Sequence, residues 1–229
     1  MRSSRWQAQG NVYLVVENGP LSSGAVSALV GDADGILEVR GSGEDWVEIT
    51  IWNPDGSRAE MSGNGTRIAA CWLAERTGAR QVAVRVGTRE VLARLLGDGL
   101  VEQDLGPVVV GAREEAAGVT FIPVDVGNPH AVVEGDPAEL ARIGPLLETH
   151  PRFPQRTNVQ VARRLGPHEI EARVWERGVG ETGSSGSSAV AIAAAFGMGA
   201  ATVRFPGGEL QVRFEDGHAL LTGPAERLT

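Results

Sequence analysis

NPDGSRAEMSGNGTRIAACWLA, residues 53–74, is the stretch of sequence that decides the fold. It follows an apolar segment at residues 46–52 and passes through a turn at Pro54-Asp55-Gly56 into the sequence Gly-Asn-Gly. An alanine-rich run comes next and stops before Gly78. This order predicts a strand, a turn and a glycine-rich loop that opens a helix, which we expect over residues 64 to about 77.

ERGVGETGSSGSSAVAIAAA, residues 176–195, repeats that plan in the second half of the chain. A predicted strand at residues 171–175 leads into a loop of small residues, and an apolar helix is expected over residues 189–197. A helix N-terminus presents unpaired backbone N–H groups and a partial positive charge, and glycine lets an anion approach them closely. Each loop can therefore cradle a carboxylate or a phosphate. A single loop of this kind is more often simple capping, but two of them favour a site between two halves.

Short apolar strands separated by glycine-containing turns make up most of the remaining sequence. We expect strands on both sides of a Gly10-Asn11 turn, a meander over residues 82–105, and three strands that close the chain from residue 201. Residues 25–30 and 137–148 are predicted helices, and residues 106–118 a connector. The sequence thus predicts two halves of similar plan, each a curved sheet with one apolar helix preceded by an anion cradle.

The composition excludes several classes of protein. A net charge of −8 over 229 residues argues against binding to nucleic acid, which requires a basic face. No apolar run approaches the roughly 20 residues of a membrane span, and we expect no signal peptide. One cysteine rules out an internal disulfide, and four scattered histidines leave no zinc-ligand spacing. We expect a cytoplasmic protein without a membrane partner or a metal.

Lysine is missing altogether, because all 21 Lys and Arg residues are arginine. Enzymes that use pyridoxal phosphate hold this cofactor through a lysine Schiff base, so that class is excluded. A phosphate-binding loop of the Walker type also requires its lysine and is excluded as well.

A series of short motifs, in order along nearly the whole chain, resembles the diaminopimelate epimerase family. The matching positions are Gly10-Asn11, residues 31–35 (GDADG), 53–57 (NPDGS), 62–67 (SGNGTR), 127–130 (GNPH), 156–159 (RTNV), 176–182 (ERGVGET), 206–209 (PGGE) and 222–226 (TGPAE).

This resemblance implies an α+β fold of two pseudo-symmetric domains, each a barrel-like, mostly antiparallel sheet wrapped around a central helix. We expect one half at residues 1–110 and the other at 111–218, with an active-site cleft between them. The last strand, about 219–229, is expected to pack back on the first half. The resemblance further implies that the protein uses no cofactor and no metal, and that it forms a homodimer.

The activity implied by the resemblance is that of an isomerase, an amino-acid racemase or epimerase that works without pyridoxal phosphate. Such an enzyme interconverts LL- and meso-diaminopimelate on the way to lysine and peptidoglycan precursors. One thiolate removes the α-proton while a facing thiol returns a proton to the other side of the carbon. Both thiols lie at helix N-termini, where a thiol pKa of about 8.5 is readily lowered. The same N–H groups hold the α-carboxylate and stabilise the developing carbanion.

Both cysteine positions of the family carry serine here, at Ser62 and Ser185, which we expect to face each other across a slot. Cys71 lies further along its helix and is expected to be a core residue. A helix N-terminus contributes about 2 kcal/mol at most, which is one or two pKa units at about 1.36 kcal/mol each. Because that cannot produce a resting alkoxide, a serine requires an adjacent base, and His130 and Glu176 are the plausible ones. In the family these two positions support and polarise the site.

Other positions match family residues that bind the substrate. The polar ends of the substrate are matched by Asn11, Asn53, Asn128 and Asn158, its distal amino and carboxylate groups by Glu176 and Arg177, and its α-carboxylate by the backbone of Gly63-Asn64 and Gly186-Ser187.

Three hypotheses remain open at this stage. The chain is a diaminopimelate epimerase whose two cysteines were replaced deliberately, or it is a natural serine-containing relative that isomerises another small acid with a single base. In the third hypothesis it binds an amino acid without catalysis. Motif coverage favours the epimerase, and we expect its activity to be impaired because Ser62 and Ser185 replace the thiols.

Overall fold

The computed structural model describes residues 2–59 and 61–228. The chain divides into two compact units. The first unit extends to Asp104 and includes the segment from Thr222 onward, and the second is Leu105–Leu221. None of the helices in the described part of the chain is long and apolar enough to cross a membrane.

Nineteen strands and four α-helices follow one another along the described residues. In chain order they are β1 (Arg2–Ala8), β2 (Asn11–Glu17), α1 (Ser23–Leu29), β3 (Gly35–Ser42), β4 (Trp46–Trp52), β5 (Arg58–Ala59), α2 (Gly63–Thr77), β6 (Gln81–Val86), β7 (Arg89–Gly97), β8 (Leu100–Pro107), β9 (Val109–Val110), β10 (Glu114–Ala116), β11 (Val119–Asp125), β12 (Pro129–Glu134), a 3-10 turn (Pro137–Glu139), α3 (Leu140–Glu148), β13 (Asn158–Gly166), β14 (Glu169–Glu176), β15 (Gly180–Thr182), α4 (Gly186–Ala195), β16 (Ala200–Phe205), β17 (Gly208–Glu215), β18 (His218–Pro224) and β19 (Glu226–Arg227).

The same strand order occurs in both units. In the first, β1 pairs antiparallel with β2, β2 parallel with β3, β3 antiparallel with β4, β4 parallel with β6, and β6 antiparallel with β7. In the second, β11, β12, β13, β14, β16 and β17 repeat this sequence of pairings in the same order. A short strand also lies against β4 and β14, namely β5 and β15. The predicted α+β fold with two pseudo-symmetric, mostly antiparallel halves is confirmed.

Each unit has its own apolar core around one helix. Helix α2 buries Ile68 and Leu73 against strand residues that include Leu37 and Val84. Helix α4 is apolar on all sides and is buried from Ser188 to Ala193, as expected for a helix enclosed by a sheet. Strand propensity and alternation therefore form the sheets, and burial of a central helix stabilises each one.

The predicted helix starts are wrong by one and three residues. Helix α2 begins at Gly63 because the carbonyl of Ser62 already accepts from the N–H of Thr66. Helix α4 begins at Gly186, not at residue 189, because the carbonyl of Ser185 accepts from the N–H of Ala189. The glycine and serine residues predicted as loops are thus the first turns of the two helices, where backbone N–H groups have no partner within the helix.

Three smaller expectations also require correction. The connector over residues 106–118 contains the short strands β9 and β10, which pair with β11. The loops before α2 and α4 contain β5 and β15, which fold back on the preceding strands. The helix expected over residues 137–148 starts as a 3-10 turn and becomes α-helical only at Leu140.

Candidate active site

Ser62 caps helix α2 in the first unit. Its backbone is extended, and its Oγ accepts from the N–H of Gly65 at 3.0 Å. A side chain on Gly65 would require its neighbours to shift, since a Cβ there would lie 3.0 Å from Leu37 Cδ2 and 3.3 Å from Ser62 Oγ. The Ser62 hydroxyl therefore lies tightly against the first turn, as an N-cap does.

The phenol of Tyr13 also contacts Ser62. Its hydroxyl lies 3.2 Å from Ser62 Oγ, and either oxygen can be the donor. The Tyr13 ring packs over Gly35, where a Cβ would come within 2.8 Å of ring atom Cε1. Gly35 thus provides the space that holds this ring in place, and the sequence analysis did not identify Tyr13.

Arg67 lies beneath the same helix turn and is completely buried. It donates to the carbonyl of Pro224 at 3.3 Å, to the carbonyl of Gly63 at 3.2 Å and to Oδ1 of Asn64. Burial lowers the pKa of this guanidinium to about 10, which leaves it charged at neutral pH. Its charge adds to the partial positive charge of the helix N-terminus.

The asparagines of the first unit do different things. Asn64 joins Asn11 to Arg67, because its Nδ2 donates to Asn11 Oδ1 while its own Oδ1 accepts from the guanidinium. Asn53 lies in the turn after β4, where its amide donates to Ser57 Oγ at 2.9 Å. The structure thus brings Asn11 and Asn64 together beside Ser62 and gives Asn53 a partner in its own turn.

Ser185 precedes helix α4 in the second unit, but its hydroxyl caps nothing. Instead it donates to the carboxylate of Glu176. Thr182 Oγ1 donates to Glu176 Oε2 at 2.8 Å from strand β15. Burial raises the pKa of Glu176, and the two hydroxyl bonds only partly oppose this effect. A carboxylate with raised proton affinity thus lies against the hydroxyl at one family cysteine position.

The His130 ring is uncharged, and each of its two nitrogens has a hydrogen-bond partner. Its Nε2 lies 3.0 Å from Asn128 Oδ1, and its Nδ1 lies 2.9 Å from the amide nitrogen of Gln160. The same Gln160 nitrogen donates to Ser188 Oγ at 2.9 Å. Burial lowers the pKa of His130 to about 3, so the ring carries no charge at neutral pH. His130 therefore orients Asn128, and of the two expected bases only Glu176 bonds to a serine at a cysteine position.

Glu148, at the end of α3, holds the segment that carries Glu176. Its Oε2 accepts from Trp175 Nε1 at 2.8 Å and its Oε1 from the N–H of Gly178 at 2.8 Å. Asn158 contributes to the same segment, since its Oδ1 accepts from the N–H of Arg177 at 3.0 Å. The positions of Glu176 and Arg177 thus depend on Asn158, which was expected to bind substrate, and on Glu148, which no sequence motif indicated.

Cys71 is a packing residue, as expected. Its sulfur lies 3.7 Å from the carbonyl of Ala225, and burial raises the pKa of the thiol to about 11. A thiol that stays protonated at neutral pH is a poor nucleophile and a poor base. In the described part of the chain, no group of three or more His, Cys, Asp or Glu side chains could hold a metal ion.

One family model and several known proteins are similar in sequence to this chain. The family model described as diaminopimelate epimerase matches residues 122–228. A diaminopimelate epimerase from Synechococcus elongatus is 38% identical over 86% of this chain and 81% of its own length. One from Desulforudis audaxviator is 35% identical over 100% of this chain and 97% of its own length.

A solved structure supports the fold independently. A predicted epimerase from Pseudomonas aeruginosa superimposes with a TM-score of 0.79 at 17% identity, over 100% of this chain and 97% of that one. At that identity the likeness concerns the fold, whereas the sequence relatives establish the family. This chain belongs to the diaminopimelate epimerase family.

Proposed function

We propose that the protein is an epimerase that moves the α-proton of an amino acid without pyridoxal phosphate, and that its substrate is diaminopimelate in the LL and meso forms. The relatives that are 35 and 38% identical both have the name of this enzyme. The observation that carries the proposal is the hydrogen bond from Ser185 to Glu176 at the start of helix α4. It supplies the base that a hydroxyl requires when it replaces a thiol.

In the proposed reaction the bonds change as follows. The Cα–H bond of the substrate breaks and its proton passes to Ser185 Oγ, while the hydroxyl proton of Ser185 passes to Glu176. The electron pair left on Cα is stabilised through the α-carboxylate, which lies over the backbone N–H groups of Gly186 and Ser187. A proton from the Ser62 hydroxyl then forms the new Cα–H bond on the opposite face. No oxidant, reductant or cofactor is consumed.

The raised pKa of Glu176 suits this role. A general base works best when its pKa approaches the working pH, and positioned acids and bases contribute about 10²- to 10⁴-fold to a rate. The hydrogen bond from Thr182 holds the carboxylate at the end of β14, where Ser185 can transfer a proton to it.

The polar side chains around the two helix starts account for the rest of an amino-acid substrate. We propose that Arg177 pairs with the distal carboxylate, and that Asn11, Asn64, Asn128 and Asn158 contact its polar ends, with Asn53 contributing from its turn. The buried charge of Arg67 favours an anionic group at the start of α2.

Isomer interconversion tests this function. The full chain is incubated with LL- or meso-diaminopimelate, and the products are separated by chiral chromatography, with proline as a comparison substrate. We expect interconversion of diaminopimelate that Glu176→Gln reduces about 100-fold or more. Glu181→Gln is the matched control, because Glu181 lies on β15 and pairs with Arg173 instead. Absence of interconversion in the unmodified chain would refute the proposal.

A single-base isomerase is the second candidate. It is favoured by one observation, namely that Ser62 Oγ accepts a capping hydrogen bond whereas Ser185 is bonded to a carboxylate. In that case the chain isomerises another small acid, and it exchanges the α-proton of diaminopimelate with solvent without inverting the carbon. Binding of diaminopimelate without exchange would instead leave the non-catalytic hypothesis.

A further proposal concerns the oligomeric state and the cellular location of the protein. We propose that the protein is a homodimer of the cytoplasm, which the resemblance to its family supports. Light scattering coupled to size exclusion separates a species of twice 24.1 kDa from the monomer. A mass of one chain at all concentrations would contradict the dimer.

A further inference from the structure

Tyr13 occupies the position in the first unit that His130 occupies in the second. In the parallel pair β2–β3, Tyr13 lies opposite Gly35. In the corresponding pair β12–β13, His130 lies opposite Asn158. The family resemblance assigns a supporting role to His130, whereas nothing in the motifs assigned a role to Tyr13. The repeated register places an ionisable ring beside the start of the helix in both units.

The hydroxyl of Tyr13 contacts the serine at the start of helix α2. Its hydroxyl lies 3.2 Å from Ser62 Oγ, and its ring is held over Gly35. Ser62 Oγ already accepts from the N–H of Gly65 at 3.0 Å. Ser62 and Tyr13 are therefore connected by one O–H···O bond along which a proton can be exchanged.

A buried positive charge lies in the same region. Arg67 directs its hydrogen bonds to amide oxygens of Pro224, Gly63 and Asn64, and within residues 2–59 and 61–228 it forms no ion pair with a carboxylate. The charges of Arg67 and of a Tyr13 phenolate attract each other. A cation near a phenol stabilises its deprotonated form. The surroundings of Tyr13 thus tolerate the negative charge that remains when the phenol gives up its proton.

We propose that Tyr13 is the positioning residue of Ser62 and the group that exchanges protons with its hydroxyl. The inference rests on the proposed epimerase function. When Ser62 donates its proton to the carbanion, a C–H bond forms and the Ser62 O–H bond breaks. The phenolic proton of Tyr13 then passes to Ser62 Oγ, and a phenolate remains beside Arg67. In the opposite direction the same atoms move in reverse, so that Tyr13 and Glu176 alternate as the protonated partner.

Tyr13→Phe tests this role because it keeps the ring and removes only the hydroxyl. Each diaminopimelate isomer is incubated in D2O, and inversion is measured separately from deuterium exchange with retained configuration. We expect inversion to fall at least tenfold in both directions. For the isomer whose α-proton is removed by Ser185 and Glu176, deuterium exchange with retained configuration should persist within about twofold. For the other isomer this exchange should be lost. A purely structural role would slow both isomers alike.

An optical measurement gives a readout that does not depend on activity. Tyr13 is the only tyrosine of the chain, so the absorbance of phenolate near 295 nm reports on this residue alone. We expect Ser62→Ala to shift the pH of that titration by about half a unit or more, since it removes a hydrogen bond to the phenol. Cys71→Ala should leave the titration unchanged.

The outcomes separate this inference from the function on which it rests. Inversion by Tyr13→Phe at the unmodified rate overturns the role of Tyr13 alone, as does a phenol titration that Ser62→Ala does not move. Equal loss of exchange for both isomers in a folded Tyr13→Phe variant overturns it as well. Failure of the unmodified chain to exchange either isomer rejects the epimerase function itself, and the role of Tyr13 with it.

Discussion

Helices α2 and α4 each begin one residue after a serine, and the strands around them pair in the same order, yet the two serines have different partners. Ser62 caps its helix and contacts a phenol, whereas Ser185 caps nothing and bonds to a carboxylate. A thiol requires little besides a helix N-terminus to ionise, but a hydroxyl requires a neighbour that takes or gives its proton. The comparison teaches that each serine has an ionisable side chain as a hydrogen-bond partner, a phenol in one half and a carboxylate in the other.

The surroundings of the His130 ring and of the Tyr13 ring also differ between the two units. In the second unit Gln160 and Ser188 join His130 in a buried hydrogen-bond network. The first unit has Leu37 and Gly65 at the corresponding places. His130 is thereby fixed in its neutral form, while Tyr13 keeps Ser62 as the hydrogen-bond partner of its hydroxyl. The first helix start thus includes one buried cation, Arg67, and the second includes the carboxylate of Glu176, whose pKa is raised by burial.

Removing the Ser185 hydroxyl should have the largest effect. Ser185→Ala disconnects Glu176 from the substrate, so we expect the rate of isomer interconversion to fall about 100-fold or more. The rate is measured at saturating substrate to separate it from binding. A loss of less than about threefold would mean that Glu176 acts without this serine and would break the comparison.

The two buried glutamates that accept from tryptophan side chains, one in each unit, come next. Glu148 accepts from Trp175, and Glu38 accepts from Trp52 at 2.8 Å and from the N–H of Leu21 at 3.0 Å. Glutamine at either position leaves a donor against an amide nitrogen, which costs about 1–3 kcal/mol of unfolding free energy. We expect only Glu148→Gln to slow interconversion as well, because Glu148 accepts from Trp175 on strand β14, which also carries Glu176.

Chemical denaturation of both variants and their turnover rates provide the measurement. Glu38→Gln is the matched control, since it removes an equivalent indole acceptor from the other unit. Equal loss of turnover in the two variants would show that the effect on rate comes from reduced stability alone.

The capping difference predicts a smaller, purely thermodynamic contrast. Ser62→Ala loses the bond to Gly65 and should reduce the free energy of unfolding by about 1 kcal/mol. Ser185→Ala loses no cap, so its loss of unfolding free energy comes from the hydrogen bond to Glu176 and should decrease as pH falls and that carboxylate is protonated. Urea unfolding of both variants at neutral and at acidic pH measures the contrast. The same dependence on pH in both variants would mean that the serines have the same structural role.

The two carboxylates Glu38 and Glu176 should respond to pH with opposite signs. Burial acts to raise the pKa of Glu38, but hydrogen bonds from Trp52, Arg40 and Leu21 outweigh it and lower that pKa. Its stabilising contribution is therefore present above the ordinary glutamate value and is lost as pH falls through the lowered one. The pKa of Glu176 is raised, so its contribution is greatest at low pH and declines as pH rises toward the raised pKa.

Glu38→Gln should consequently destabilise the protein at neutral pH, while Glu176→Gln should stabilise it and abolish activity. Thermal unfolding across the acidic range, with Glu181→Gln as a control, follows both effects. A neutral-pH loss of stability in Glu176→Gln would contradict the burial of that carboxylate.

Local patterns in the sequence were sufficient for most of the fold. Gly78 ends helix α2 with a φ of +75°, as a left-handed C-cap should, and the apolar run before it predicted the helix. The start of α4 was misplaced because Gly-Ser-Ser lacks apolar periodicity, although the carbonyl of Ser185 begins the helix there. The strands β5 and β15 have two and three residues, which is too short for any periodic signal.

The site was only partly predictable for a different reason. The motifs predicted Ser62, Ser185 and Glu176 as site residues, but Tyr13 reaches Ser62 across 49 residues through strand pairing that has no local signal. Glu148 lies 27 residues from Trp175 and resembles any helix-terminal acid in the sequence. A buried charge at Arg67 could have been predicted, because this arginine comes directly before the apolar run at residues 68–73 of α2.

Deuterium exchange at the α-carbon tests most directly whether Glu176 and Tyr13 exchange protons with the hydroxyls of the two serines. The unmodified chain and the Ser62→Cys/Ser185→Cys variant are incubated with LL- and meso-diaminopimelate in D2O, and loss of the α-proton signal is followed by NMR. We expect the unmodified chain to exchange the α-proton of both isomers at a measurable rate, whether or not the cysteine variant exchanges it faster. Exchange in the cysteine variant alone, with none in the unmodified chain, would contradict this expectation.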